Sequence, residues 1–153
     1  MLKKIFATVF VLSIFLIQSS AMAGGYQKYL NGDRNYILYD GHQGVGRYVV
    51  RNSLAVLADE YPMALIGIES VIVPNAYDGS IKISSRNKLC FAYDREARKI
   101  YSVNVQTRET KYLPPNVSRA MGEAIMKAAE MAYYLATSGE KFYGFPDSFY
   151  PDL

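Results

Sequence analysis

Three glycines and the only histidine of the chain lie close together in the stretch YDGHQGVGR. Gly41, Gly44 and Gly46 surround His42. A glycine-rich loop holds phosphate when it leads from a strand into a helix, because the helix N-terminus supplies N–H donors and a favourable dipole. Here the order is G-x-x-G-x-G, no lysine followed by Ser or Thr comes after the last glycine, and the next segment has the residues of a strand. The stretch is therefore predicted to be a turn or bulge between two strands, with a ligand loop as the alternative.

His42 is the natural candidate for a general base. Catalysis of the triad type also needs a nucleophile and an acid that orients the histidine. Ser53, Asp40 and Cys90 are the candidates for these roles, but the chain contains no G-x-S-x-G elbow motif. A solvated loop histidine is the alternative. We therefore expect a protein that is not an enzyme, and we keep a hydrolase-like enzyme using His42 as the competing hypothesis.

The pattern of potential ligands predicts neither a metal site nor a cofactor. One histidine, one cysteine and scattered acids give no zinc-ligand spacing. The segments NGDRN and NAYDG lack the oxygen-rich repeat of a calcium loop. If the domain has a binding edge, the candidate contact residues are Tyr39, His42, Arg47 and Tyr48, because exposed tyrosines provide amphipathic contact surface.

The first 23 residues have the layout of a cleaved signal peptide. Lys3 and Lys4 precede an apolar run, Ile5–Ile17, and Ala21 and Ala23 form an A-x-A cleavage pattern. The run is shorter than the roughly 20 residues of a membrane span. Cleavage after Ala23 would leave 130 of the 153 residues, enough for one domain with its own core. The protein is thus expected in the periplasm or outside the cell, touching the membrane only through its leader; an uncleaved anchor is the alternative.

Charge and cysteine content narrow the classes of partner. The leader carries two lysines and no acid, so 17 basic residues fall to 15 against 14 acidic ones, a net charge of about +1. No clustered basic surface is predicted, and nucleic acid is not an expected partner. Cys90 is the only cysteine and excludes an internal disulfide. Its apolar context predicts a small hydrophobe in a strand, with an intermolecular disulfide or a reactive thiol as alternatives.

Alternating segments rich in tyrosine and β-branched residues, separated by short polar turns, predict an antiparallel β-meander. The polar, glycine-rich residues 24–35 are predicted to form a flexible N-terminus before it. The predicted strands are 36–40, 47–57, 63–74, 80–94, 99–105 and 111–113.

A helix is predicted over about 116–138, because apolar residues recur there at helical spacing. Asn116 or Ser118 is the predicted N-cap, and Gly139 is placed for a left-handed stop. Residues 140–153 form a tail with five aromatic side chains, expected to lie across the sheet or the helix. The whole predicts one α+β domain over 36–153, a twisted antiparallel sheet with one C-terminal helix packed on it. A groove for a partner, lined by the helix methionines, is the alternative use of the apolar stripe.

Three segments resemble small uncharacterised exported bacterial proteins and, more distantly, the surface-adhesin E family. They are YVVRNSLAV, ALIGIESVIVPNA and LCFAYDREARKIYSVNV, within residues 36–115. The resemblance implies an exported, non-enzymatic binding domain, and it transfers no functional residue.

The function expected from the sequence is binding at the cell envelope or outside the cell. The partner would be an envelope or extracellular protein or surface, met through exposed tyrosines and the glycine loop. A structural envelope component that assembles through the methionine-rich helix or the aromatic tail is a further alternative.

Overall fold

Six antiparallel strands form one curled sheet in the order in which they occur in the chain. The computed structural model describes residues 25–115 and 122–153. The strands are β1 (Tyr36–His42), β2 (Val45–Glu60), β3 (Met63–Val73), β4 (Ser85–Asp94), β5 (Lys99–Val103) and β6 (Thr110–Leu113). Together with one helix, α1 (Gly122–Ala136), they confirm an α+β fold with an antiparallel sheet. The predicted signal peptide and the predicted N-cap at Asn116 or Ser118 lie outside the described residues.

The two faces of the sheet carry separate hydrophobic clusters, because side chains alternate along each strand. Ile66 and Ile68 of β3 belong to the main core, which they share with residues of α1. Val71 and Val73 of the same strand belong to a second cluster on the opposite face. β3 therefore contributes apolar side chains to clusters on both faces, which explains why its sequence is apolar at nearly every position.

Helix α1 contributes Met126, Ala129 and Ala132 to the main core. The hydroxyl of Tyr93, which is fully buried, donates a hydrogen bond of 2.7 Å to the carbonyl of Ala129. The left-handed region that ends the helix begins at Ser138, with φ 56°, one residue before the predicted position. The Gly139 N–H then donates to the Tyr134 carbonyl, the 6→1 bond of a Schellman motif. No helix of the described residues is long and apolar enough to span a bilayer.

The segments before β1 and after α1 both contact the sheet. Residues 25–35, expected to be flexible, contain a 3₁₀ turn whose Leu30 is 5% exposed, and Tyr29 forms a β-bridge with Ile37. In the aromatic tail, Phe142 is fully buried and its ring lies 5.5 Å from that of Tyr93. These segments cover parts of the sheet that would otherwise be open to water.

Candidate functional site

The glycine-rich stretch forms a tight hairpin between β1 and β2. Gln43 and Gly44 make up the two-residue turn, and their φ angles are +49° and +81°. Positive φ at both positions is typical of the primed turns that match strand twist. The Gly44 N–H donates to the hydroxyl of Tyr26 at 2.8 Å. A strand follows the turn, so these backbone donors do not form the helix N-terminus that a phosphate loop requires.

The other two glycines of the stretch are needed for packing. Gly41 and Gly46 are opposite each other in the β1–β2 ladder. A Cβ on Gly41 would lie 2.5 Å from Cδ2 of Tyr26, and one on Gly46 would lie 2.8 Å from Cβ of Ala76. Aromatic and aliphatic side chains thus lie directly on this backbone, on the face away from α1.

A β-bulge at Tyr39 places two successive side chains on the helix side of the sheet. Leu38 pairs with Tyr48, whereas Asp40 pairs with Arg47, so Tyr39 is the extra residue. In a regular strand, neighbouring side chains point to opposite faces, and a bulge re-aims one of them. Tyr39 therefore enters the main core while Asp40 reaches α1.

Asp40 joins the hairpin to the helix through two ion pairs. Its Oδ2 lies 2.9 Å from a guanidinium nitrogen of Arg47, and its Oδ1 lies 3.2 Å from Nζ of Lys127. Lys127 also pairs with Glu123, one turn earlier on α1, at 3.3 Å. The Asp40 side chain is only 10% exposed, and each of its oxygens faces one of the two cations.

A cleft of about 580 Å³ lies between the hairpin and α1. Its size is within the range of small-molecule sites. The charged network forms its polar side, and the exposed His42 lies at the end of β1 beside it. The lining residues are Tyr39, Asp40, Gly41, His42, Arg47, Leu89, Glu123, Ala124, Ile125 and Lys127.

The structure brings three of the four predicted contact residues to this cleft and separates the fourth. His42 and Arg47 line it with partly accessible side chains. Tyr39 lies in its wall, but the residue is buried and its hydroxyl is hydrogen-bonded to that of Ser70 at 2.8 Å. Tyr48 lies on the opposite face, 1% exposed, in the second cluster. The expectation that Tyr39 and Tyr48 are exposed contacts is therefore corrected, because both faces of this hairpin are covered by other segments.

Burial explains the titration behaviour of these two tyrosines. Desolvation raises the pKa of Tyr39, although its hydrogen bond with Ser70 acts in the opposite direction. Burial also raises the pKa of Tyr48. Both phenols stay protonated at neutral pH, and neither offers an anionic group to a ligand.

Glu123 and Lys127 are not among the site residues predicted from the sequence. Asp40 is predicted there only as the orienting acid of a triad. The spacing of Glu123 and Lys127, four residues apart on a predicted helix, indicates an ion pair on one helix face. Nothing in the local sequence indicates that Lys127 reaches Asp40. Their contact depends on how the helix lies against the hairpin.

The candidate nucleophiles do not meet His42 in the cleft. None of the described lining residues is a serine, threonine or cysteine. The Ser53 hydroxyl donates to the Val50 carbonyl at 2.6 Å and accepts from the Glu69 N–H at 2.7 Å. Cys90 is a free, buried cysteine whose pKa is raised by desolvation. Asp40, the candidate orienting acid, is engaged by Arg47 and Lys127 instead.

The described part of the chain contains no group of three or more His, Cys, Asp or Glu residues arranged to hold a metal ion. Comparison of the chain with protein-family models, with curated proteins and with solved structures found no match. The chemistry available to the cleft follows from its own donors and acceptors. Arg47 uses one guanidinium nitrogen for Asp40, and its other N–H groups have no acceptor among residues 25–115 and 122–153.

Proposed function

We propose that the protein is an exported binding domain and that the cleft between the β1–β2 hairpin and α1 holds a ligand that accepts hydrogen bonds. The proposal rests on an imbalance between hydrogen-bond donors and acceptors in the cleft. Each oxygen of Asp40 already pairs with a cation, whereas Arg47 has N–H donors that find no acceptor in the described part of the chain. A bound molecule would therefore supply acceptors, as a carboxylate or another anionic group does.

The mostly buried Asp40 prepares Arg47 for this role. Oδ2 of Asp40 holds a guanidinium nitrogen of Arg47 at 2.9 Å, while 32% of the Arg47 side chain stays exposed to solvent. A donor that is already fixed loses less conformational entropy when a ligand binds. Helix α1 serves in this role as a fixed wall packed on the sheet. The Tyr93–Ala129 hydrogen bond and the Lys127–Asp40 ion pair support this packing.

Export is the second half of the proposal, and it rests on the leader pattern of residues 1–23. Mass spectrometry of the protein recovered from a producing cell provides the test. We expect a chain that begins at Gly24 in the periplasmic or extracellular fraction. An intact chain in the cytoplasm would contradict this half.

Ligand-observed NMR with small probes tests the binding half. We expect acetate to bind the protein weakly and methylammonium not to bind. Arg47→Gln should weaken acetate binding about 10- to 100-fold, the value of one charge-assisted hydrogen bond. Arg34→Gln is the matched control, because Arg34 is 58% exposed and pairs with Asp152 instead.

Acetate binding that both arginine variants retain equally would show that Arg47 is not the contact. Preference for methylammonium over acetate would show that the cleft acts through its carboxylates. Either result would contradict the proposed chemistry of the site.

A further inference from the structure

A second groove adjoins the proposed binding cleft and differs from it in character. It has a volume of about 890 Å³, and its lining includes the apolar Leu57, Ile68, Val103 and Val105 as well as the charged Glu69, Arg86 and Lys88. Leu89 of β4 and Ile125 of α1 line both this groove and the cleft. These two apolar side chains therefore form the boundary that the charged cleft and the apolar groove share.

The groove exists because β5 is shorter than β4. The last pair between these strands joins Phe91 to Ser102, whereas β4 continues to pair with β3 as far as Ser85. Residues 85–90 of β4 consequently have no strand partner on their outer edge in the described part of the chain. The segment after β5, residues 104–106, lines the groove without forming ladder pairs with this edge.

Large apolar side chains remain accessible there. Leu57 is 56% exposed and Val105 is 67% exposed. Removing such surface from water is favourable, and contiguous exposed apolar surface is typical of binding grooves.

We propose that the ligand of the cleft is a single-chain amphiphile with a carboxylate head. The head binds Arg47, and the chain passes Leu89 and Ile125 into the apolar groove. This inference rests on the proposed function and adds the chemical class of the ligand. Charge complementarity selects an anionic head, because Arg47 has N–H donors without an acceptor among residues 25–115 and 122–153, while each Asp40 oxygen already faces a cation.

The neighbouring acids select a monoanion. Asp40 and Glu123 lie beside the two cations of the cleft. They repel a second negative charge, so a carboxylate fits better than a doubly charged phosphate group. The bidentate geometry of guanidinium and carboxylate then fixes the orientation of the head.

Titration of the purified protein with dodecanoate, below its micelle concentration, tests the proposal by NMR chemical shifts. We expect dodecanoate to bind at least about 100-fold more tightly than acetate. Octanoate should lie between them, since each buried methylene adds about fourfold to the affinity. Dodecyltrimethylammonium, which has the same chain and the opposite charge, should not bind.

Variants at the junction of the two grooves locate the chain. Leu89→Ser and Ile125→Ser should each weaken dodecanoate binding about 10-fold more than they weaken acetate binding. Val56→Ser is the matched control, because Val56 is 52% exposed but does not line the groove. The comparison of acetate, octanoate and dodecanoate uses the unchanged protein, so it remains decisive if a variant fails to fold.

The outcomes separate this inference from the function on which it rests. Arg47-dependent acetate binding without any gain from the chain would overturn the amphiphile and leave the proposed function standing. Absence of binding by every carboxylate would overturn both. Equal binding of dodecyltrimethylammonium, or a chain effect insensitive to Leu89→Ser and Ile125→Ser, would overturn the amphiphile at this site. Binding of an uncharged extended peptide in place of carboxylates would assign the groove to β-strand pairing at β4.

Discussion

Gly41 has no space for a side chain, because the ring of Tyr26 lies on its backbone. An ideal Cβ would lie 2.5 Å from Cδ2 and 2.6 Å from Cγ of that ring. Gly41→Ala should therefore lower the free energy of unfolding by about 1–3 kcal/mol, as overpacking does. Gly67→Ala is the matched strand control, since its nearest neighbour would be 3.6 Å away, an ordinary contact. Chemical denaturation of both variants measures the difference.

Repeating Gly41→Ala in a Tyr26→Ala background tests whether the Tyr26 ring causes the loss of stability. Removing the ring should remove most of the cost of the added methyl group. An unchanged cost would show that Tyr26 is not the obstacle.

Tyr143 ties the aromatic tail to β5 and β6 and gives stability a dependence on alkaline pH. Its hydroxyl donates to the Leu113 carbonyl at 2.7 Å and accepts from the Ile100 N–H at 3.0 Å. Burial raises the pKa of Tyr143 to about 12. The folded protein thus favours the neutral phenol, and this contribution is complete below the unfolded pKa, about 10. It is lost as the pH rises from there through about 12.

Tyr143→Phe should flatten this loss of stability between pH 10 and 12. At neutral pH the same variant should be about 1–2 kcal/mol less stable, because the Ile100 N–H loses its acceptor. Denaturant titrations at several pH values measure both effects. Tyr77→Phe, at a tyrosine that is 47% exposed, serves as the control. Parallel pH profiles for Tyr143→Phe and the unchanged protein would refute the assignment.

At the scale of elements, α1 and the aromatic tail are joined by one buried carboxylate. Glu130 is fully buried in the helix and accepts the N–H groups of Phe142 at 2.9 Å and Tyr143 at 2.8 Å. The hydroxyl of Tyr150 donates to the same carboxylate at 2.7 Å. These hydrogen bonds satisfy a charge that would be costly to bury alone.

Glu130→Gln should lower the free energy of unfolding by about 1–3 kcal/mol. The amide keeps the size of the carboxylate but replaces one acceptor oxygen with a donor that faces other donors. Glu123→Gln is the control on the same helix, because its side chain is 31% exposed and, among the described residues, pairs only with Lys127. Thermal melts of the two variants give the comparison, and equal shifts would argue against the role of Glu130.

Strands and helices were predictable where a local pattern of residues indicates them. Alternation predicted β3 within one residue of its observed end, and the helix period predicted the described part of α1. The β-bulge at Tyr39 was not predictable, because it exists only in the pairing of β1 with β2. That bulge places Asp40 against Arg47 and Lys127, so the local sequence could not reveal how the cleft is built.

At the scale of the molecule, the tail is part of the same core as the sheet and the helix. The fully buried ring of Phe142 lies 5.0 Å from that of Tyr133 and contacts the main core cluster. Removing residues 141–153 would take away this ring and leave Glu130 without its partners. Loss of one buried phenylalanine alone costs about 3–5 kcal/mol, against a total stability of roughly 5–15 kcal/mol.

We therefore expect the truncated chain to lose cooperative unfolding. Removing only Leu153, which is 63% exposed, should leave the thermal transition close to that of the complete chain. Calorimetry distinguishes the cases. A sharp transition after removal of residues 141–153 would show that the tail is dispensable for the core.

Local sequence was enough to predict the antiparallel meander, the hairpin character of the glycine stretch and the periodicity of α1. Those properties follow from preferences of neighbouring residues: alternation, turn chemistry and helical spacing. Three further features arise only in the folded molecule: Tyr48 is buried, Asp40 meets Lys127 across 87 positions of the chain, and Glu130 holds the tail. Each of these depends on which segment covers which face. That choice is made by long-range packing and is not visible in a local window of sequence.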